Sequence, residues 1–147
     1  MKPENVFLHH DGSEEVVKLI DFGIAKLLTT QTGRRHPVTV HGELVGTPSY
    51  MSPEQLMGCP CDGKSDVYSL AMMLYEMLSG RLPFALHEES LTDVISSRLQ
   101  HETLRLREAS RDVPEPVSDL VMLGLSKEPR QRPSAEEFLQ GLLRPAI

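Results

Sequence analysis

The stretch Ser65-Asp66-Val67-Tyr68-Ser69-Leu70-Ala71-Met72-Met73-Leu74-Tyr75-Glu76-Met77-Leu78-Ser79-Gly80 decides the architecture of this 147-residue chain. Val67, Leu70, Ala71, Leu74, Met77 and Leu78 recur at helical spacing, and Tyr68, Met72, Met73 and Tyr75 fill the rest of the circumference. A helix that is apolar nearly all round has no face to offer water, so it belongs in the middle of a domain. Ser65-Asp66 reads as its N-cap and Gly80 as its end. Val67 to Leu78 is also the most hydrophobic run in the chain, yet it carries Ser69 and Glu76 and is shorter than the ~20 apolar residues that cross a bilayer.

Beyond this helix, Leu82-Pro83-Phe84 is a break. Leu91, Val94, Ile95 and Leu99 then mark a shorter amphipathic helix. A further one follows Pro114 and Pro116, carrying Val117, Leu120, Val121, Leu123 and Leu125 up to Ser126-Lys127-Glu128-Pro129. Ser134 caps a final helix through Phe138, Leu139 and Leu142. On the N-terminal side, Val6-Phe7-Leu8 and Val16-Val17-Lys18-Leu19-Ile20 are β-prone and flank the turn dipeptide Asp11-Gly12, which predicts a hairpin. From Thr29 to Glu43 the chain is rich in Thr, Gly, Arg, His and Pro without a sustained apolar period, so an exposed, mobile connection is expected. Strands first and helices later give an α+β, mainly α-helical class.

Composition narrows the function. A hydrophobic content of 39% is enough for one core, and a formal charge of -6 opposes binding along a phosphate backbone. Without a basic recognition helix, a helical DNA-binding domain is disfavoured, so no nucleic-acid partner is expected. The N-terminus leaves no room for a signal-peptide core, and a cytoplasmic location is expected. Cys59-Pro60-Cys61 is spaced too tightly for a zinc knuckle and has no second pair, so these read as loop thiols. The six histidines are scattered and receive no role.

Asp21-Phe22-Gly23 directly follows the strand ending in Leu19-Ile20. A carboxylate at a strand end, followed by a glycine free to take unusual backbone angles, suits a magnesium ion that bridges phosphate oxygens. Lys2-Pro3-Glu4-Asn5 precedes the same hairpin, whose turn brings Asn5 back toward Asp21. Together these motifs resemble the catalytic loop and magnesium motif of eukaryotic-like (Hanks-type) serine/threonine protein kinases. The resemblance implies that Lys2 contacts the transferred phosphate, that Asn5 and Asp21 hold magnesium, and that Phe22, with Gly23 after it, packs to set active or inactive states.

Three later motifs extend the likeness. Gly46-Thr47-Pro48-Ser49-Tyr50-Met51-Ser52-Pro53-Glu54 resembles the end of a kinase activation loop, with Ser52 where alanine is commonest. By that resemblance Thr47 contacts the catalytic loop and marks Ser/Thr specificity. Ser65 to Leu70 resembles the start of the buried kinase helix whose aspartate, here Asp66, braces the catalytic loop; read alone, Asp66 is only a capping residue. Lys127 to Ser134 resembles the last kinase motif, whose arginine, here Arg132, pairs with the glutamate at Glu54; read alone, these are solvated surface charges.

The motifs run in family order from Lys2 to about Leu143. They imply a partial kinase domain over 1–143 with a tail at 144–147: a C-terminal lobe with a short hairpin, an activation loop and about four to five helices, and no N-lobe. ATP, magnesium and protein Ser/Thr substrates are implied with it. Thr29, Thr30, Thr32 and Thr39 lie where phosphorylation orders such loops, and position favours Thr39. The glycine-rich loop, the ATP-binding lysine and the catalytic aspartate of the family do not occur in these residues, so negligible phosphotransfer by the chain alone is expected, with apolar surface left exposed. The alternative is a non-catalytic kinase remnant that docks protein partners.

Overall fold

The computed structural model describes residues 1–20, 39–40, 43–44, 48–84, 91–100 and 102–144. After a single 3-10 turn at Pro3–Asn5, β1 (Val6–Asp11) and β2 (Glu14–Leu19) form an antiparallel hairpin. Its register runs from Val6 opposite Leu19 to Asp11 opposite Glu14. Gly12 turns the chain at φ 66°, a left-handed conformation that costs glycine nothing. A second ladder pairs β3 (Thr39–Val40) with β4 (Glu43–Leu44), inside the segment whose composition predicts only a loop.

The remainder is helical: α1 (Pro53–Leu56), α2 (Gly63–Ser79), α3 (Leu91–Gln100), α4 (Leu106–Ala109), α5 (Glu115–Gly124) and α6 (Ala135–Leu143), with 3-10 turns at Pro48–Tyr50 and Pro129–Gln131. Among the described residues this makes six α-helices. Of these, α1 and α4 are too short for any apolar period to announce them. Helix α2 starts earlier than expected. Its N-cap is Asp62, whose Oδ1 accepts from the Lys64 N–H at 2.8 Å, so Ser65 and Asp66 lie inside the first turns. Its other end falls where glycine predicts, with Gly80 at φ 73° donating its N–H to the Glu76 carbonyl.

Helix α2 is the axis of the core. Val67, Tyr68, Ala71, Met72 and Tyr75 are sealed from solvent and pack with Leu106 of α4, Val121 of α5 and Phe138 of α6. Burial is densest from Val67 to Tyr75 and relaxes at the end, where Met77 is 78% exposed. Helix α3 departs from its apolar pattern. Its inward residues are Val94, Ser97 and Arg98, whereas Leu99 faces solvent. The long Arg98 side chain does the packing, with its guanidinium carbon 3.9 Å from the centre of the Phe84 ring.

The hairpin stands apart from this core. Val6 packs against the core, but Phe7, Leu8, Val17, Leu19 and Ile20 are exposed, and apolar side chains occupy both faces of the ladder. A two-stranded ribbon of this kind is marginal in water without a covering layer. No described helix is long and apolar enough to cross a membrane.

Helices α2, α5 and α6 meet at Gly124. A Cβ there would lie 2.8 Å from the Ala71 Cβ and 2.9 Å from the Phe138 ring. Gly124→Ala is therefore expected to destabilise the chain by about 1–3 kcal/mol, despite alanine's better helix propensity. Urea unfolding of the variant beside the parent chain measures this.

Candidate active site

Proline fixes the first turn of Pro3–Asn5, and the Asn5 N–H donates to the Lys2 carbonyl at 3.0 Å. This turn delivers Asn5 to the start of β1. Across the ladder the Ile20 N–H donates to the Asn5 carbonyl at 2.8 Å, so the backbone leaves β2 directly beside Asn5. Lys2 and Asn5 are both half-buried. Asp21, Phe22, Gly23 and Thr47, and with them Thr29, Thr30 and Thr32, lie outside the described residues. The backbone of Thr39 pairs with Leu44 in β3, and its side chain is outside the description.

The segment that follows residue 47 is firmly tied. The Tyr50 hydroxyl donates to Glu76 Oε2 at 2.6 Å, the Ser69 hydroxyl donates to the Tyr50 carbonyl at 2.9 Å, and Arg98 Nη2 donates to the Ser49 carbonyl at 2.9 Å. Burial first, and then the Glu76 carboxylate, push the Tyr50 phenol well above its ordinary range, so it remains a donor. Ser52 caps α1: the Gln55 N–H donates to its hydroxyl, and its own N–H donates to Gln55 Oε1 at 2.9 Å.

That cap places Glu54 in the first turn of α1, facing inward at 6% exposure. Arg132 meets it as a fork, with Nη1 2.6 Å from Oε1 and Nη2 2.9 Å from Oε2. The Ser65 hydroxyl donates to the same Oε1 at 2.6 Å. The remaining guanidinium hydrogens go to backbone carbonyls: Nε to Ser126 at 2.8 Å, Nη1 to Lys64 at 3.1 Å and Nη2 to Lys127 at 3.0 Å. The Tyr68 ring lies beneath, its centre 4.8 Å away, and Lys64 Nζ donates back to the Arg132 carbonyl at 2.6 Å. Burial alone would raise the Glu54 carboxyl, but the bonds from Arg132 and Ser65 outweigh it and hold the group at about 2, below its ordinary 4.5.

Residues 1–142 match the family model described as protein kinase domain. This chain belongs to the protein kinase family. It is similar to the serine/threonine-protein kinase Pkn1 of Myxococcus xanthus, at 35% identity over all of this chain and 20% of the relative. PrkC of Bacillus subtilis is 32% identical over all of this chain and 21% of its own, and PkaA of Streptomyces coelicolor is 37% identical over 97% and 24%. The kinase chain described here thus spans about a fifth to a quarter of the length of these bacterial relatives.

Among the residues singled out from sequence, the structure joins Glu54 to Arg132 and brings Asn5 beside Ile20. Asp66 is exposed in the first turns of α2 and makes no side-chain hydrogen bond to a described residue. Sequence reasoning passed over Ser65, Tyr50, Glu76 and Arg98. Ser65 carries a visible signal, a hydroxyl at the start of a buried helix, but that position reads equally as a cap. Nothing local in the sequence pairs Tyr50 with Glu76.

Removing either partner of the buried pair strands the other. Arg132→Ala is expected to cost about 3–5 kcal/mol of stability, and Arg132→Lys much of the same, since an ammonium cannot reproduce five directed bonds. Chemical denaturation of each variant measures it. Because the folded Glu54 carboxyl is held below its unfolded value, its contribution is fully present above about pH 4.5 and is lost as pH falls toward about 2. The stability gap between the parent chain and Glu54→Gln should accordingly narrow from about pH 6 to about pH 3.

Proposed function

We propose that this chain is the C-terminal lobe of a cytoplasmic serine/threonine protein kinase, which transfers phosphate from ATP to protein serine or threonine. The observation that carries the reading is the Ile20 N–H bond to the Asn5 carbonyl, with Asp21 the next residue in sequence. It supports an amide oxygen and a carboxylate oxygen starting from adjacent points of one ladder. Two hard oxygen donors of this kind suit magnesium, which would supply charge neutralisation at the phosphates.

In this reading the residues position rather than react. Lys2, whose carbonyl accepts the bond that closes the turn, meets the transferred phosphate, while Asn5 and Asp21 orient the phosphate chain from one side. Phe22 and Gly23 set the conformation of that carboxylate. Thr47 orients the acceptor side, and the bonds at Ser49, Tyr50 and Glu54 support a fixed end for the loop it belongs to. The exposed apolar faces of the hairpin support a further lobe covering them. Phosphorylation at Thr39 would add charge to that loop and order it through arginine.

The 147 residues alone, having neither the glycine-rich loop nor the catalytic aspartate of the family, are proposed to transfer negligible phosphate. Incubated with magnesium-ATP and a generic basic protein, they should incorporate no more than an Asp21→Ala control. The protein produced in its own cell, with everything encoded in frame, should phosphorylate serine and threonine and lose that activity with Asp21→Ala. Activity of the 147 residues well above the control overturns their incompetence; an Asp21→Ala protein as active as its parent overturns the kinase site itself. Phosphopeptide mapping of the active protein tests Thr39 directly.

A further inference from the structure

Between α1 and α2 the chain carries two thiols that the kinase reading does not use, Cys59 and Cys61, separated by Pro60. Cys59 is exposed and Cys61 half-buried. The loop is held at both ends. The Cys59 N–H donates to the Glu54 carbonyl at 2.8 Å, and Asp62 caps α2 through the Lys64 N–H at 2.8 Å. Between these anchors the chain curls back, so that the Cys61 sulfur donates to the Cys59 carbonyl at 3.1 Å. One sulfur thus already rests against the backbone of the residue that carries the other.

We propose that Cys59-Pro60-Cys61 is an oxidation site, at which a small peroxide converts the two thiols into a disulfide within the loop. The exposed Cys59 sulfur attacks the O–O bond, forming a sulfenic acid and releasing water that takes up the thiol proton. The Cys61 sulfur, held beside residue 59, then attacks the Cys59 sulfur, breaks the S–O bond and releases a second water with its own proton. Two thiols and one hydrogen peroxide become one disulfide and two waters. The ring so formed is very small, so it gains little from loop closure and is readily reopened by a dithiol reductant. A bridge of this sort is a reversible mark rather than a structural staple.

Its position gives the mark a target. Glu54 lies five residues before Cys59 and Lys64 three after Cys61, and both bind the Arg132 guanidinium directly. A clamp between residues 59 and 61 tightens the connection joining two partners of that arginine.

The test treats the purified, reduced chain with hydrogen peroxide, then blocks thiols with a maleimide and maps peptides by mass spectrometry. Both cysteines should lose maleimide reactivity together, with the bridge inside one peptide of a monomeric chain, and dithiothreitol should restore both. Cys61→Ser should stop at a sulfenic acid on Cys59 that dimedone traps. Cys59→Ser should leave Cys61 largely reactive to maleimide at the same peroxide dose. Cysteines in the parent chain that stay fully maleimide-reactive, oxidise singly without bridging, or bridge only between chains overturn the proposal. So does a Cys59→Ser chain that oxidises as fast as Cys61→Ser.

Discussion

A buried guanidinium holds this structure together. Taking a charge out of water is expensive, and the Arg132 site tolerates it only because all five N–H groups find an acceptor. Those acceptors belong to α1, to the first turn of α2 and to the connection after α5. Three elements far apart in sequence are thereby fixed to one planar group, and the Tyr68 ring beneath sets its tilt. An apolar residue of similar volume could fill the space but could not dictate the register of three backbones. The depressed carboxyl of Glu54 is the electrostatic signature of the same arrangement.

The site is assembled from two bodies of different character. The end of the loop preceding α1 is tied by Ser69, Arg98 and Gln55, each a helix side chain bonded to a main-chain group of that end. The Asn5 turn sits instead on a ribbon with exposed apolar faces. Its geometry rests on the ladder and on Val6 against the core. In the proposed function the two would divide the work, the tied segment as a rigid floor for the acceptor and the hairpin as the part that faces phosphate.

Much of this was legible in the residues. The continuous apolar run of α2 predicted a central helix because nothing but burial accommodates such a surface, and Gly12 and Gly80 marked the turn and the end that require a left-handed backbone. The Glu54 and Arg132 pair, 78 residues apart, was reached only through family resemblance, since no local period connects them. What failed did so for physical reasons. The cap of α2 moved to Asp62 because Ser65 is needed by Glu54. Helix α3 turned Arg98 rather than Leu99 inward because a cation over the Phe84 ring, bonded to Ser49, fills the space a leucine was expected to take. The one-turn helices α1 and α4 had no periodicity to read.

The ribbon of β1 and β2 has one further consequence. Among the described residues, each strand of this two-stranded sheet has a partner on one side only. The outer rows of N–H and C=O groups are therefore templates for strand addition, flanked by Phe7, Leu8 and Val17. Copies of the chain with these edges uncovered would stack through them into growing assemblies, with the net negative charge as a brake on polymerisation.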